Sequence, residues 1–375
     1  MQKDTEREKI TLKMVAAHAG VSVSAVSMIL NNYKQASFPQ ETKRRVYESC
    51  EALGYHRQPA RERRSTQTKL IVAVVPSFEN PYYAQILSAC IRRAGEMGYR
   101  VMTLCTERNP DEEANLLSVC RTVDADGILC LYQPRYASML QRLHREFPLF
   151  QLYDATADPC LNVISIDGFR VGSLIAEHLY HLNHRTIAYV TRPLSKRQSG
   201  SSRRLTGIRD YFTRKGFDAL ECIKSYSIES ENLPFPQTID SYETGRVLTE
   251  QILKKRIPFT AFVGTSDAIA YGIMDALLAC GRRIPQDYSV CGCDNLPFSR
   301  HQAISLTTVE HFWSEKGHDA IDLLIREIEN RAGGNGKRQS VNKIRMEYEP
   351  RLIARNSSGK CRPLSEKIKK SREVQ

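Results

Sequence analysis

Several features common in proteins of this size are scarce or missing here. Among 375 residues there is one tryptophan, Trp313. No apolar run approaches the ~18 residues that a membrane-crossing helix needs. The opening stretch, Met1 to Ile10, mixes both charge signs around no apolar segment, which argues against a secretory leader. Eleven cysteines are scattered, and the single close pair, Cys291 and Cys293, is too isolated for a metal motif. They read as reduced, mostly core thiols of a cytoplasmic protein. No Gly-rich phosphate loop, nucleophile elbow or cluster of metal ligands occurs, so an enzyme is not expected, and no cofactor. The C-terminal region also lacks the leucine heptad that would zip chains into a tetramer.

Charge is present but uneven. Residues 1–69 hold 13 Lys/Arg against 7 Asp/Glu, residues 331–375 hold 13 against 4, and the middle is slightly acidic at 28 against 31. The basic N-terminal region suits a polyanion such as DNA. The basic C-terminal excess reads as a solvated tail.

The segment from Thr11 to Asn31 shows what that N-terminal region is for. Val15, Ala16 and Ala19 form an apolar stripe that Gly20 ends in a left-handed turn. Thr11 is placed to cap this helix through its hydroxyl, and Ser22 to cap the next. Val26, Ile29 and Leu30 face inward on the second helix. Val23, Ser24, Ser27 and Met28 face outward, with no acidic residue to repel phosphate. Two short helices around a tight turn make a helix-turn-helix, whose second helix enters the major groove. A third helix spans Pro39 to Leu53, and Gly54 ends it. A polar, cationic linker follows to Lys69, with a possible helical turn between Pro59 and Arg64.

The texture then changes. Leu70 to Val75 is wholly apolar, as in a strand buried on both faces. Strands are predicted at 100–106, 127–132, 149–153, 163–166, 186–191, 261–264 and 289–292. Helices are predicted at 82–97, 110–123, 172–182, 204–215, 241–254 and 267–279. Repeated βα units imply parallel, doubly wound sheets, and the strands are too many for one sheet, so two lobes are expected. Ligands of such sheets bind at the carboxyl ends of strands, here the cleft between lobes. Residues 329–343 read as a Gly-rich basic loop.

Taken in order, Thr11-Leu12, Val15-Ala16, Ala19-Gly20-Val21-Ser22, Leu53-Gly54-Tyr55, Asn80-Pro81-Tyr82-Tyr83-Ala84, Ala125-Asp126-Gly127, Asp167-Gly168, Arg204-Leu205-Thr206-Gly207, Ser266-Asp267, Cys293-Asp294 and Leu306-Thr307-Thr308-Val309 resemble the motifs of the lac repressor (LacI/GalR-type) family across residues 10–355. The resemblance implies an α/β protein with an all-α helix-turn-helix head at 10–57 and a hinge linker at 58–69. It implies a two-lobed, periplasmic-binding-protein-like core at 70–355, followed by a basic, disordered tail at 356–375. It further implies a homodimer on double-stranded operator DNA, controlled by a small-molecule effector, sugar-like or nucleoside-like, in the cleft. Thr11, Ser22, Val23, Ser24, Ser27, Met28, Asn31, Arg61 and Arg63 would then meet DNA. Tyr82, Tyr83, Asp154, Arg204, Ser266 and Asp294 would meet the effector.

Four departures qualify this. Met28 stands where relatives often carry a guanine-reading Arg, which shifts readout toward thymine methyls and Ser24. Arg63 replaces the leucine wedge of the hinge, which predicts a gentler kink and a larger phosphate contribution. Ser266 replaces a frequent Asn, and the loop carrying Arg197 is longer than usual. A transporter's solute-binding protein shares the implied core but not the head, and a regulator that has lost effector control stays open as an alternative.

Overall fold

The computed structural model describes residues 11–30, 38–53, 68–134, 137–153, 161–193, 199–228, 241–333 and 343–361. The chain divides into two compact units, 1–66 and 67–375.

Among its described residues the first unit has three helices, α1 (Leu12–Ala19), α2 (Val23–Leu30) and α3 (Gln40–Leu53). Gly20 closes α1 at φ 65° in the left-handed region, with its N–H returning to the carbonyls of Ala16 and Ala17. The axes of α1 and α2 then differ by 98°, inside the range of helix-turn-helix pairs. Val15, Ala16, Ala19, Val26, Ile29 and Val46 form one small core. The Ser22 hydroxyl accepts from the Ala25 N–H at 3.1 Å and so caps α2. Thr11 does not cap α1 through its hydroxyl. It sits in extended backbone, and its carbonyl alone accepts from Met14 and Val15. The burial of the Leu30 side chain, Gly54, and the turn between Pro59 and Arg64 lie outside the described residues.

The second unit runs β1 (Leu70–Val75), α4 (Pro81–Glu96), β2 (Arg100–Cys105), α5 (Pro110–Thr122), β3 (Gly127–Cys130), α6 (Ala137–Glu146), β4 (Leu149–Leu152) and β5 (Asn162–Ile166). It continues through α7 (Gly168–His181), β6 (Ile187–Val190), α8 (Gly200–Arg214), α9 (Ala219–Cys222), β7 (Ile223–Tyr226), α10 (Ser241–Lys254), β8 (Ala261–Gly264), α11 (Asp267–Ala279) and β9 (Ser289–Cys291). It finishes with β10 (Thr308–Glu310), α12 (Trp313–Gly333), β11 (Arg345–Tyr348) and β12 (Arg351–Ile353).

Two parallel sheets result, in the orders β11-β5-β4-β3-β1-β2 and β7-β6-β8-β9. Each is packed on both faces, which is why β1, β3, β4, β6 and β8 are nearly continuous apolar runs. The chain crosses between lobes three times, after β5, after β10 and after β11. At these crossings β11 lies parallel to β5 while β12 runs antiparallel to β10. The rings of Phe312, after β10, and Tyr348, at the end of β11, stack 5.5 Å apart. Among the described residues no single helix is long and apolar enough to cross a membrane.

Three expectations need correcting. Helix α7 begins at Gly168 rather than 172, because the Asp167 carboxylate caps the Phe169 N–H. The Gly-rich loop does not begin at 329. Helix α12 continues to Gly333, its Leu324, Ile325 and Ile328 packed into the first lobe. Nor is the tail loose from 356. Ser357 is 2% exposed, its N–H and hydroxyl donate to the carbonyls of Ser305 and Val290, and its carbonyl accepts from the Val290 N–H. Gly359 bonds Ser289 and His184, and Cys361 donates its N–H to Leu182. A polar composition suggested solvation, but these groups satisfy the outer edge of β9. Residues 334–342 and 362–375 lie outside the described set.

Candidate functional site

The head presents one polar-poor face. Val23 (41% exposed) and Met28 (39%) project outward, as do Ser24 and, partly, Ser27. The Ser24 hydroxyl shares a 3.0 Å hydrogen bond with that of Ser22. Thr11 is exposed, its hydroxyl outside the capping scheme. Behind this face His18 bonds Ser49, which in turn donates to the Arg45 carbonyl, fixing α1 on α3. Asn31, Arg61 and Arg63 lie outside the described residues.

In the second unit the strands of both sheets end at one cleft of about 970 Å³. That is the upper end of small-molecule sites, about 300–1,000 Å³. The loop after β1 leads to Asn80, whose side chain accepts from the Tyr82 N–H and starts α4, placing Tyr82 and Tyr83 in the wall. The two rings meet edge to face at 5.5 Å. Lys316, 1% exposed in the first turn of α12, holds Tyr82 from behind by donating its Nζ to the hydroxyl at 3.1 Å. Arg108 follows β2 and lies 5.1 Å from the centre of the Tyr132 ring. The Tyr132 hydroxyl donates to Glu113 at 2.7 Å, and burial pushes its ionisation well above the ordinary phenol range.

The opposite wall comes from the second lobe. Arg204 enters from the first turns of α8 and donates to the Thr265 carbonyl at 2.6 Å. Its neighbour Arg203 instead pairs with Asp167 at 2.5 Å, so the two adjacent arginines have different partners. Ser266 caps α11 by accepting from the Ile269 N–H, so its hydroxyl has a structural partner as well as a place in the cleft. Asp294, 4% exposed, accepts from the Asp267 N–H at 3.2 Å and faces His311 Nδ1 at 3.8 Å. His311 also approaches Cys293 Sγ at 3.1 Å and the Tyr82 ring at 5.8 Å. Beneath them Asp267, fully buried, accepts from Leu296, Ser299 and Thr308. Burial pushes its pKa up against those bonds.

Thus Tyr82, Tyr83, Arg204, Ser266 and Asp294 all line one cleft, while Asp154 and Arg197 lie outside the described residues. Trp313 packs against the first-lobe core and is not among the residues lining the cleft. Sequence reasoning missed Arg108, Glu113, Tyr132, Arg192 and His311. Arg108 and Arg192 carried a usable signal, since Arg192 directly follows a predicted strand and Arg108 stands two residues past the carboxyl end of another.

Comparison with known proteins agrees with this architecture. Residues 11–58 match "Bacterial regulatory proteins, lacI family", and residues 176–358 match "Periplasmic binding protein-like domain". The HTH-type transcriptional repressor PurR of Mannheimia succiniciproducens is 28% identical over 351 residues, covering 92% of this chain and 98% of that protein. The HTH-type transcriptional regulator DegA of Bacillus subtilis is 26% identical over 355 residues, covering 93% and 98%. Among solved structures, a transcriptional regulator CelR–cellobiose complex superposes with a TM-score of 0.64 at 23% identity, covering 93% of this chain and all of that one. The lac repressor bound to ONPG superposes with a TM-score of 0.62 at 26% identity, covering 94% and 100%. With a lacI-type helix-turn-helix joined to a two-lobed core, and repressors that align along nearly all of both chains, this chain belongs to the LacI family of DNA-binding transcription regulators.

Proposed function

We propose that this protein represses transcription by binding operator DNA as a homodimer, and that a small polar molecule in the interlobe cleft sets its affinity for that operator. The observation that carries this is the convergence of Arg204, Asp294, Tyr82 and Tyr83 on one cleft in a chain that also holds a helix-turn-helix. Guanidinium, carboxylate and phenol groups together suit a hydroxylated ligand. Relatives of the fold hold such molecules, cellobiose in one structure and ONPG in another. DNA contacts fall to Thr11, Ser22, Val23, Ser24, Ser27 and Met28, extended by Asn31, Arg61 and Arg63. Asp154 joins the effector set.

The homodimer reading is supported by exposed apolar residues on both lobes of the core. Ile91 on α4 and Met102 on β2, the terminal strand of its sheet, are 47% and 38% exposed, and Leu278 on α11 is 54% exposed. A protein that binds operator DNA works in the compartment that holds the chromosome, which places it in the cytoplasm.

Affinity selection of genomic fragments with the full chain, followed by gel shifts with and without small molecules, tests the proposal. A palindromic site bound at two protomers per duplex, with affinity altered by a ligand, is the expected result. Specific DNA binding that no ligand alters favours a regulator without effector control. Absence of any sequence-specific binding overturns the function.

A further inference from the structure

The junction where the linker enters the core is built more firmly than a tether requires. Lys69, the residue before β1, holds φ at 54° in the left-handed region. A residue with a side chain pays for that conformation and keeps it only where its surroundings impose it. The surroundings here act from two sides. Toward β3, the Thr68 hydroxyl lies 2.9 Å from a carboxylate oxygen of Asp126 and 2.7 Å from the Asp124 carbonyl. The Leu70 N–H donates to the same Asp126 oxygen at 3.3 Å, and the Asp126 N–H donates to the Leu70 carbonyl at 2.8 Å. Toward β2, the Arg100 N–H donates to the Lys69 carbonyl at 2.8 Å, and the Lys69 ammonium stands 5.9 Å from the centre of the Tyr99 ring. One carboxylate therefore grips the residues on both sides of a strained one, although Thr68 and Lys69 are themselves exposed.

The grip continues into the body of the first lobe. Asp126 is followed by Gly127, where a Cβ would stand 2.8 Å from the Ile328 side chain of α12. That helix has 21 residues and starts at the crossing after β10. Residues 68–70 thus move with the first lobe and have no slack of their own.

We infer that residues 68–70 form a clamp that fixes the direction in which the linker leaves the first lobe, with Thr68, Lys69 and Asp126 as positioning residues for operator binding. This rests on the proposed function. A palindromic site is met only when two heads stand one half-site spacing apart. The φ angle of Lys69 decides where the chain before it points, and a return to the ordinary negative region would swing that chain by about 110° or more. A linker free to take several directions presents the heads correctly for only a fraction of the time, and the apparent affinity falls by that fraction.

Fluorescence anisotropy of the full chain on an operator fragment recovered by affinity selection tests this, with an unrelated duplex beside it at the same salt. Lys69→Asn and Lys69→Val remove the same charge but differ in backbone preference. Asparagine tolerates the left-handed region, whereas a β-branched residue there is an outlier. K69V should bind the operator at least about tenfold more weakly than K69N, while the two bind the unrelated duplex alike. Thr68→Val keeps the shape and loses the hydroxyl, so it should weaken operator binding severalfold, and Thr68→Ser should recover most of that loss. T68V should also be cut by trypsin after Lys69 sooner than T68S, a readout that needs no DNA.

Equal operator affinities of K69N and K69V, or a difference that appears equally on the unrelated duplex, overturn the clamp while leaving a DNA-binding repressor in place. A lowered melting temperature of the core with operator affinity unchanged overturns it as well, because the hold on Lys69 then serves stability alone. Equal trypsin rates for T68V and T68S overturn the part given to Thr68. Absence of any specifically bound fragment overturns the proposed function and this inference together.

Discussion

Gly172 shows how a single absent carbon can position a cleft-lining charge. A Cβ there would stand 2.0 Å from the carbonyl oxygen of Arg204, and one at Gly207 would stand 2.0 Å from that of Phe169. Helices α7 and α8 therefore meet backbone to backbone, and Arg204 reaches the cleft from that contact. Gly172→Ala must push the helices apart. A stability loss of about 1–3 kcal/mol in denaturant unfolding is expected, with weakened binding of the cleft ligand by calorimetry. Gly20 is a different case. The nearest side-chain atom to its missing Cβ is 3.9 Å away, so only its positive φ resists substitution. Gly20→Ala should lower the stability of the head by about 1–2 kcal/mol and leave the core transition unchanged, read as a shift of the head's unfolding in calorimetry. Gly20 and Ser22 were legible in the sequence because turn and cap chemistry is local. Thr11 was not, since the same extended conformation serves a hydroxyl cap or a carbonyl one. Arg204 was legible from its motif, but the pairing of its neighbour Arg203 was not, because the partner, Asp167, lies 36 residues away.

Among elements, those with an apolar face of clear period were read closely. α10, β8 and α11 fall where the alternation of apolar residues put them. β11 and β12 were missed because they are half-exposed strands with mixed composition, and α12 because its polar face and Gly-rich end resemble a loop. The irregular cover at 357–361 was missed because its contribution is hydrogen bonding rather than burial of apolar area. That segment carries a pH signature. His178 Nε2 bonds the Ser358 hydroxyl at 2.8 Å, and burial holds the imidazole pKa below its ordinary 6.5. The folded state then binds fewer protons than the unfolded chain in the window below 6.5. The full stability is present above 6.5 and falls as pH drops toward the lowered value. Unfolding free energies measured across that window should decline with acid in the native chain and decline less in His178→Gln. Ser357→Ala, which removes a buried hydroxyl that bonds the Val290 carbonyl and the Thr307 N–H, should cost about 1–3 kcal/mol.

At the scale of the whole molecule, two lobes were inferable because one sheet cannot hold so many strands, but which strands share a sheet was not. β11 joins the first lobe from the far end of the chain, pairing with β5, and no local pattern announces it. The head's basic composition leads to a prediction of the same breadth. Its affinity for operator should fall steeply with salt, about 10³–10⁵-fold between 50 and 200 mM for 6–10 neutralised phosphates, measured by fluorescence anisotropy. A shallow dependence would mean that apolar contacts from Val23 and Met28 dominate instead. The three crossings between lobes have a last implication. His311 is both part of the crossing after β10 and part of the cleft wall, touching Tyr82 of one lobe and Cys293 and Asp294 of the other. Under the proposed function, crossing and ligand contact would thus fall on one residue. Occupancy and response need not coincide: a molecule that fills the outer cleft without pressing on His311 would bind, exclude the true effector and leave the gene's state unchanged.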